Sequence, residues 1–310
     1  MINTIKLAQV FRDNLLESEH YGIVTLVNSV GELISAGDSD FTCFTRSLIK
    51  PIQAKVAKDI LGDELNGELL AISIASHNSE PEQLALVNKL MSKFEVQEND
   101  LRCGTYKTSS YSLKSKIEHN CSAKHTALIA ACKKQGWSLN DYTQIDHPIQ
   151  KLILKELEDL LAESLGAFGI DGCGLPSFHM SLSKMTKIFA AMIVNPAYGE
   201  ILQAMRDYPL IIGGKSQIDS LLMKNSKNLI AKGGAEGLMM IANLETKEVV
   251  LIKIIDGSHR VKAIVSKAMT EHLNWLEQDF ILDNNILNSN KDVVGSYVAC
   301  DLAQQVSTML

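Results

Sequence analysis

The chain has 310 residues, enough for one large domain or two small ones. Its 46% hydrophobic and 21% charged residues are typical of a globular protein, and a net charge of −6 without a basic block argues against nucleic acid as a partner. No apolar run reaches the roughly 18 residues that a membrane helix needs, and the start lacks a signal-peptide pattern, so we expect a cytoplasmic protein without a membrane span.

The cysteines are sparse for a chain of this length, and we expect reduced thiols rather than disulfides. No two of them form a Cys-x-x-Cys pair, so the sequence contains no standard structural zinc site. They are Cys43, Cys103, Cys121, Cys132, Cys173 and Cys300.

Taken in order, the chain begins with the pattern of a helix end and continues with a hairpin. Residues 22–27 are largely β-branched and apolar, Gly31 marks a turn, and residues 33–36 return. A second hairpin follows far along the chain, where residues 238–243 and 249–255 flank a mostly polar turn. Both patterns predict antiparallel strand pairs.

Between the two hairpins the chain is mostly helical. Apolar spacing predicts helices over residues 48–61, 68–74, 81–93, 123–134, 148–165, 183–194 and 199–206, and a final helix over 258–275. After the final helix we expect a loop over 278–290 and a short strand over 293–298.

Strands at both ends with helices between them do not suggest a repeating βαβ unit. We therefore predict the α+β class, with one antiparallel sheet built from both termini and with flanking and inserted helices. We expect a single domain over residues 1–310, with a sheet subdomain from about 1–45 and 230–310 and a mostly helical insert over 46–229.

Ser47 and Lys50 stand at the start of the first predicted helix. Residues three apart share a helix face, so the lysine amine can take the serine proton and make the hydroxyl a nucleophile. Ser-x-x-Lys is the arrangement of penicillin-recognising acyl-transferases. Helix capping by Ser47 beside a solvated Lys50 is the alternative, and the same spacing recurs at Ser181 and Lys184.

A polar segment over residues 75–81, Ala-Ser-His-Asn-Ser-Glu-Pro, lies between an apolar run and a helix, where functional residues are common. Ser79 as an N-cap and Pro81 in the first helical turn would explain part of it. Capping leaves Ser76 and His77 without a role, so a functional interpretation stays open.

Residues 119–125, His-Asn-Cys-Ser-Ala-Lys-His, combine two imidazoles, an amide, a thiol and an amine. If a helix starts here, Cys121, Lys124 and His125 lie within one turn of each other. A thiol at a helix N-terminus shifts toward thiolate, and thiolate and imidazole are good zinc ligands. A capped helix with a half-buried cysteine is the structural alternative.

The glycine-rich turn over residues 169–176 carries Asp171 and Cys173. Its glycines allow a close approach of the backbone to another group. If a metal binds, Cys173 is the natural distant partner of Cys121. A tight turn around a small buried cysteine is the alternative.

A second glycine-rich segment, Ala-Lys-Gly-Gly-Ala-Glu-Gly over residues 231–237, opens the second hairpin. Glycines at a strand edge suggest a substrate against backbone N–H groups, as an oxyanion site requires. Lys232 and its two glycines loosely match the Lys-Thr-Gly of penicillin-recognising enzymes. A flexible approach to the hairpin with a solvated Lys232 is the alternative.

Together and in this order, the motifs resemble the Rhizobium-type L-asparaginases, a family with a serine β-lactamase-like fold that is unrelated to the bacterial threonine asparaginases. The resemblance spans nearly the whole chain, although Ser79 stands where glycine is common. It is carried by residues 17–22, 46–53, 75–81, 102–104, 119–125, 146–148, 171–176, 231–237 and 253–260.

The resemblance implies two Ser–Lys tandems that face one pocket, Ser47 with Lys50 and Ser76 with Lys232. Ser47 would be the nucleophile and Lys50 its base, while Ser76 and Lys232 would relay protons or stabilise charge. Residues that match positions near the substrate are Arg46, Asn120 and His125.

The resemblance also implies a Zn²⁺ site. Cys121, Lys124 and Cys173 match the family's zinc ligands, with water completing a tetrahedron, and Asp171 matches an acid that supports them. Because lysine must bind a metal in its neutral form, we expect burial and the metal to lower the pKa of Lys124. Asp171 can orient Lys124 or the water.

The implied reaction is hydrolysis of L-asparagine to L-aspartate and ammonia through an acyl-serine, by a homodimer. A glutaminase or another serine amidohydrolase on the same scaffold is an alternative, because one methylene changes binding by only about 1–3 kcal/mol. A zinc-dependent amino-acid-binding or sensor protein without turnover is an alternative of another class. The four intact Ser and Lys side chains of the tandems argue against it.

Overall fold

The structure is a computed structural model that describes residues 2–105 and 114–301. Its contacts divide the chain into two compact units. Unit 1 consists of Met1–Cys43, Ser181–Ala190 and Gln217–Leu310, and unit 2 consists of Phe44–Met180 and Ala191–Ser216.

A large antiparallel sheet forms the centre of unit 1. In chain order the strands of the molecule are β1 (Ile5–Arg12), β2 (Leu15–Val27), β3 (Leu33–Ala36), β4 (Thr42–Phe44), β5 (Phe168–Ile170), β6 (Pro176–Ser181), β7 (Leu229–Gly233), β8 (Leu238–Asn243), β9 (Glu248–Ile254), β10 (Asn285–Leu287) and β11 (Val293–Ala299). The sheet has the order β10-β11-β1-β2-β9-β8-β7, with β3 paired to β2. Because the N-terminal pair β1–β2 lies between strands from the C-terminal part, the predicted α+β class with one sheet from both termini is confirmed.

The middle of this sheet is buried on both faces. Every residue of β8 and all but the first residue of β9 are buried. A strand covered on both faces is expected to be continuously apolar rather than alternating, as the sequence Leu-Met-Met-Ile-Ala of β8 is. The predicted second hairpin is confirmed, with β8 at its predicted bounds and β9 shifted by one residue.

The helix end predicted for the start of the chain is wrong. β1 and β2 form a hairpin in which Arg12 pairs with Leu15, so the turn consists of two residues. These are Asp13, with φ 46°, and Asn14, with φ 65°. Two successive positive φ angles form the type I′ turn that matches strand twist, and Asp and Asn tolerate this region better than most residues.

Helices make up most of unit 2, where α1 and α2 pack against α4. The α-helices of the molecule are α1 (Lys50–Leu61), α2 (Gly67–Ile74), α3 (Pro81–Lys93), α4 (Ser122–Gln135), α5 (Pro148–Leu161), α6 (Leu182–Val194), α7 (Gly199–Asp207), α8 (Pro209–Gly213), α9 (Ile218–Asn225) and α10 (Lys262–His272). The helices predicted between the two hairpins are confirmed with small changes of their bounds. The two short helices α8 and α9 and the hairpin β5–β6 were not predicted.

Two predicted helix bounds are wrong for local reasons, and one predicted loop contains a strand. α5 ends before 165 because Ala162 adopts a left-handed φ of 56°. α10 begins after 258 because Gly257, at φ 73°, and a hydrogen bond from the Ser258 N–H to Asp256 Oδ1 form a turn. The predicted loop over 278–290 contains β10.

In the part of the chain that the structure describes, no helix combines the length and the apolar character that a membrane crossing requires.

Candidate active site

A 3₁₀ turn, Arg46–Ile49, leads into α1, and its first residue has a positive φ of 48°. A side chain in this region costs on the order of 1–3 kcal/mol and persists only where other contacts hold it. The Arg46 N–H donates to Ser177 Oγ at 3.1 Å, and Arg46 Nε donates to Asp171 Oδ1 at 2.7 Å. Strained backbone next to Ser47, a candidate nucleophile, is typical of functional sites.

Lys50, the first residue of α1, is fully buried and lies close to three oxygen atoms and to Cys121. Its Nζ lies 2.7 Å from the carbonyl oxygen of Ala75, 3.0 Å from that of Asn120 and 3.1 Å from Ser76 Oγ. Burial lowers the pKa of the Lys50 ammonium, although a Cys121 thiolate nearby opposes the shift. Lys50 donates to all three oxygens, and its neutral form would offer a lone pair to the Ser76 hydroxyl.

Ser76 is the serine whose hydroxyl lies within hydrogen-bond distance of the Lys50 amine. It follows α2 and is half-buried, and its N–H donates to the Ile212 carbonyl oxygen at 2.9 Å. Ser47 and Lys50 share a backbone hydrogen bond, but no side-chain hydrogen bond joins them within the described residues. The structure thus places the base of one predicted tandem beside the serine of the other.

His77, whose role the sequence left open, has a complete set of hydrogen bonds. Its Nδ1 accepts from the Ser79 N–H at 3.3 Å, so the proton is on Nε2, which donates to Ser122 Oγ at 2.9 Å. The Ser122 hydroxyl in turn donates to the Ile117 carbonyl oxygen. Burial, together with the Lys50 charge, lowers the pKa of His77 to about 3. His77 is a neutral structural link between the segment after α2 and the start of α4.

Ser79 explains how this segment turns. It has a φ of 61°, the region that favours glycine, and its hydroxyl donates to the Glu118 carbonyl oxygen at 2.6 Å. The predicted N-cap position of α3 belongs instead to Glu80, which forms a capping box with Gln83. A serine can stand where the resembled family commonly has glycine because its hydroxyl has a partner here.

The three candidate metal ligands converge at the start of α4. Cys121 is the N-cap residue, Lys124 lies in the first turn, and Cys173 lies between β5 and β6. Lys124 Nζ lies 3.3 Å from Cys173 Sγ, and the two thiols form a hydrogen bond with each other. Cys173 Sγ also lies 3.6 Å from Asp171 Oδ2. All three ligands are buried.

The charges in this group depend on one another. The hydrogen bond from Cys173 lowers the pKa of the Cys121 thiol, and the Lys124 ammonium lowers it further, against the effect of burial. For Lys124, burial lowers the pKa of the amine, but the neighbouring Cys121, Cys173 and Asp171 raise it by more. Burial therefore acts on Lys124 in the expected direction, and a metal would have to displace the remaining proton before the amine could bind it.

The donor set nevertheless fits the ion that the resemblance implies. In residues 2–105 and 114–301, no cluster of three His, Cys, Asp or Glu side chains could hold a metal, so Lys124 would be the third ligand beside Cys121 and Cys173. Two thiolates and an amine are the sulfur and nitrogen donors that Zn²⁺ accepts. Asp171 lies next to this set and is ion-paired with Arg46.

His125 presents a defined hydrogen-bond donor. Its Nδ1 lies 2.6 Å from Tyr142 Oη, which already accepts from the Arg102 N–H at 2.9 Å. Burial raises the pKa of Tyr142, so the phenol keeps its proton and donates it to Nδ1. Burial lowers the pKa of His125 well below its usual value. The neutral ring therefore carries its proton on Nε2, which is buried and has no partner among the described residues.

All of the predicted site residues except Lys232 lie in unit 2. Asn120 is exposed and takes part through its carbonyl oxygen. Lys232 lies in unit 1 on β7, fully buried, in an ion pair with Asp219. Sequence reasoning missed Tyr142 and Asp219, because neither belongs to a dense polar motif and both contacts form between distant segments.

The model of a family described as L-asparaginase II matches this chain over residues 8–299. A search of curated proteins returns no significant match.

Solved structures that resemble this chain include a β-lactamase from Mycobacterium bovis, with a TM-score of 0.47 at 10% identity, over 81% of this chain and 94% of that one. Another is a glutaminase from Bacillus subtilis in a covalent complex with 5-oxo-L-norleucine, with a TM-score of 0.40 at 12% identity, over 83% and 88%. Identities this low say nothing about the substrate of this chain.

Proposed function

The chain belongs to the L-asparaginase II family, which makes it an amidohydrolase, and we propose that it hydrolyses L-asparagine to L-aspartate and ammonia. The observation that supports this reaction best is the contact of Ser76 Oγ with the buried Lys50 amine at 3.1 Å. A base with a lowered pKa next to a half-buried hydroxyl is what an activated serine nucleophile requires.

In the proposed reaction, Lys50 takes the hydroxyl proton of Ser76 while Oγ attacks the side-chain amide carbon. The carbon–nitrogen bond breaks, the proton passes from Lys50 to the leaving nitrogen, and ammonia leaves. Water then attacks the acyl-serine, gives a proton to Lys50, and the ester bond breaks. Ser76 recovers its proton and aspartate is released.

The family resemblance favours Ser47 as the nucleophile, whereas the hydrogen bonds of Lys50 support Ser76. Removal of the nucleophile should lower kcat by more than about 1,000-fold, as it does in other serine hydrolases. We expect this loss for Ser76→Ala. The exposed Ser92 of α3 provides a control, because Ser92→Ala should keep wild-type kcat.

An acid-quench experiment separates the two serines directly. After rapid quenching with L-asparagine, mass spectrometry of peptides should find the aspartyl ester on the peptide that contains Ser76. An ester on the Ser47 peptide, together with an inactive Ser47→Ala variant, would identify Ser47 as the nucleophile. Ser76 would then be the proton relay.

Substrate binding is proposed for Arg46, Asn120 and His125. The Nε2–H of His125 is a buried donor without a partner in the described chain, as a group reserved for a substrate oxygen would be. Burial of an unpaired donor costs about 1–3 kcal/mol, and a bound substrate would recover this cost.

We also propose that Cys121, Lys124 and Cys173 hold a Zn²⁺ ion, with Asp171 beside them. The ion would supply positive charge that balances the two thiolates and orients the substrate. Asp171 holds Arg46 through the ion pair at 2.7 Å, so the same carboxylate connects the metal ligands with the turn that carries Ser47. A homodimer is the proposed assembly, on the basis of the family resemblance.

Ammonia release from L-asparagine and from L-glutamine by the purified protein tests the substrate. We expect kcat/KM to favour asparagine and metal analysis to find about one zinc per chain, as a single site of this type would hold. A higher kcat/KM for glutamine would make the protein a glutaminase. Bound zinc without ammonia release from either amide would indicate that the protein is a binding or sensor protein rather than an enzyme.

A further inference from the structure

Unit 1 contains a buried carboxylate that the proposed reaction does not use. Asp219 lies in the first turn of α9 and is only 5% exposed. Its Oδ2 accepts a hydrogen bond from the Gly233 N–H at 3.1 Å. Gly233 ends β7 and directly follows Lys232, so Asp219 connects α9 with the strand that carries a candidate catalytic amine.

The Lys232 amine lies between this carboxylate and the backbone of its own strand. Its Nζ donates to the Gly233 carbonyl oxygen at 2.9 Å and lies 3.8 Å from Asp219 Oδ2. Lys232 is fully buried, and a buried ammonium is costly unless an opposite charge compensates it. Asp219 supplies that charge.

A second lysine limits the space around the pair. Lys262, the first residue of α10, lies so close that a Cβ atom on Gly233 would be 3.2 Å from its Nζ and 3.4 Å from Asp219 Oδ2. Burial lowers the pKa of Lys262, and Asp219 opposes the shift. Lys232, fully buried and in an ion pair with Asp219, is the lysine whose position this carboxylate controls most directly.

We propose that Asp219 is a positioning residue for the Lys232 amine. One carboxylate oxygen holds both the Gly233 peptide and the neighbouring amine, and it thereby fixes the direction in which Lys232 presents its protons. The inference rests on the proposed function together with the role that the family resemblance implies for Lys232, which is to relay protons or stabilise charge. A small displacement of such a group can cost about 100-fold in rate.

The test is a double-mutant cycle of Asp219→Asn and Lys232→Met in the full-length protein. Asparagine keeps one oxygen for the Gly233 N–H, so the variant removes the charge while the hydrogen bond to the backbone can persist. We expect Asp219→Asn to lower kcat by about 10- to 100-fold with KM changed by less than about twofold, since the amine acts on the reaction rather than on binding. In the Lys232→Met background, Asp219→Asn should cost nothing further.

Asp279→Asn is the matched control. Asp279 is also paired with a lysine, Lys267, at 2.8 Å, but its side chain is 79% exposed, so this variant should keep the wild-type kcat. Asp219→Asn with wild-type kcat, or with the same loss in both Lys232 backgrounds, would overturn the positioning role alone. An inactive wild-type protein, or full activity of Lys232→Met, would overturn the role of Lys232 in the proposed function and this inference with it.

Discussion

Tyr142 fixes which nitrogen of His125 carries the proton. Its oxygen accepts from the Arg102 N–H, and His125 Nδ1, at 2.6 Å, is the acceptor for its own proton. The sequence does not reveal this pair, since a tyrosine without polar neighbours gives no motif. If the Nε2–H binds substrate, the tautomer must be held before the substrate arrives, because a ring with the proton on Nδ1 presents a lone pair instead.

We predict that Tyr142→Phe lowers kcat/KM for L-asparagine by about 10-fold or more, through loss of a positioned donor. The control is Tyr198→Phe, which removes another buried phenol, one that donates to Glu156 at 2.9 Å. Both variants should lose about 1 kcal/mol of unfolding free energy, but only Tyr142→Phe should lose activity. Nitrogen-15 NMR of labelled histidine should show the changed tautomer of His125, and an unchanged spectrum with reduced activity would contradict the prediction.

His77 makes the stability of the protein depend on pH. Its pKa is lowered from 6.5 to about 3 in the folded protein, mainly by burial. The unfolded chain therefore binds a proton at a higher pH than the folded chain does. Stability from this group is complete above pH 6.5 and falls as the pH decreases toward 3.

We predict a loss of about 3 kcal/mol in unfolding free energy between pH 6.5 and pH 4 from this group. Urea unfolding at several pH values across this range gives the slope of the unfolding free energy against pH. This slope should be smaller for His77→Gln than for the wild type. His259→Gln, which changes an exposed histidine, should keep the wild-type slope. Equal slopes for the wild type and His77→Gln would show that another group causes the acid sensitivity.

At the scale of the elements, the turn between β1 and β2 shows how two residues determine a hairpin. Asp13 and Asn14 both have positive φ, and this dipeptide between two strands is a signal that the sequence does contain. The helix end predicted there is wrong because Asp13 and Asn14 favour a tight turn, and this preference outweighs the apolar pattern around them. The hairpin fills the middle of the sheet, next to β9 and β11.

We predict that Asn14→Val lowers the unfolding free energy by about 1–2 kcal/mol, because a β-branched residue disfavours φ near 65°. Asn14→Gly should leave stability equal or higher, since glycine has no steric cost there. Chemical denaturation measures both variants. Equal stability of the valine and glycine variants would mean that the turn does not limit the hairpin. Neither substitution should change kcat.

At the scale of the whole molecule, the fold class was predictable because strand patterns lie toward both ends of the chain and helical patterns lie between them. The buried β8 is one such strand pattern, and it forms at its predicted bounds. Short elements such as α9 and β10 were not predictable, because they are too short to show a period and are stabilised by tertiary contacts. The predicted division at about 45 and 230 stays a prediction.

The candidate site was predictable where its residues are close in sequence and not where distant segments meet. The start of α4 brings Cys121 and Lys124 together as their spacing indicates. The partner of Lys50 depends on a contact with Ser76, 26 residues away. The ion pair of Lys232 with Asp219 depends on how α9 packs on β7. Helical spacing cannot reveal such pairs.

The proposed zinc ligands also predict how the stability of the molecule responds to the metal. Cys121 and Cys173 are 52 positions apart in the sequence. Cys121 lies at the start of α4 and Cys173 lies in the turn after β5, so a bound ion would connect two distant segments. Cys121→Ala and Cys173→Ala should each lose the zinc, and chelation of the wild type should lower its unfolding temperature. Cys132→Ala alters another buried thiol of α4 and should keep about one zinc per chain. Metal analysis and thermal unfolding test this prediction. Zinc that remains bound in the Cys121 and Cys173 variants would contradict a site at these residues. An unchanged unfolding temperature of the chelated wild type would contradict a stabilising role of the metal.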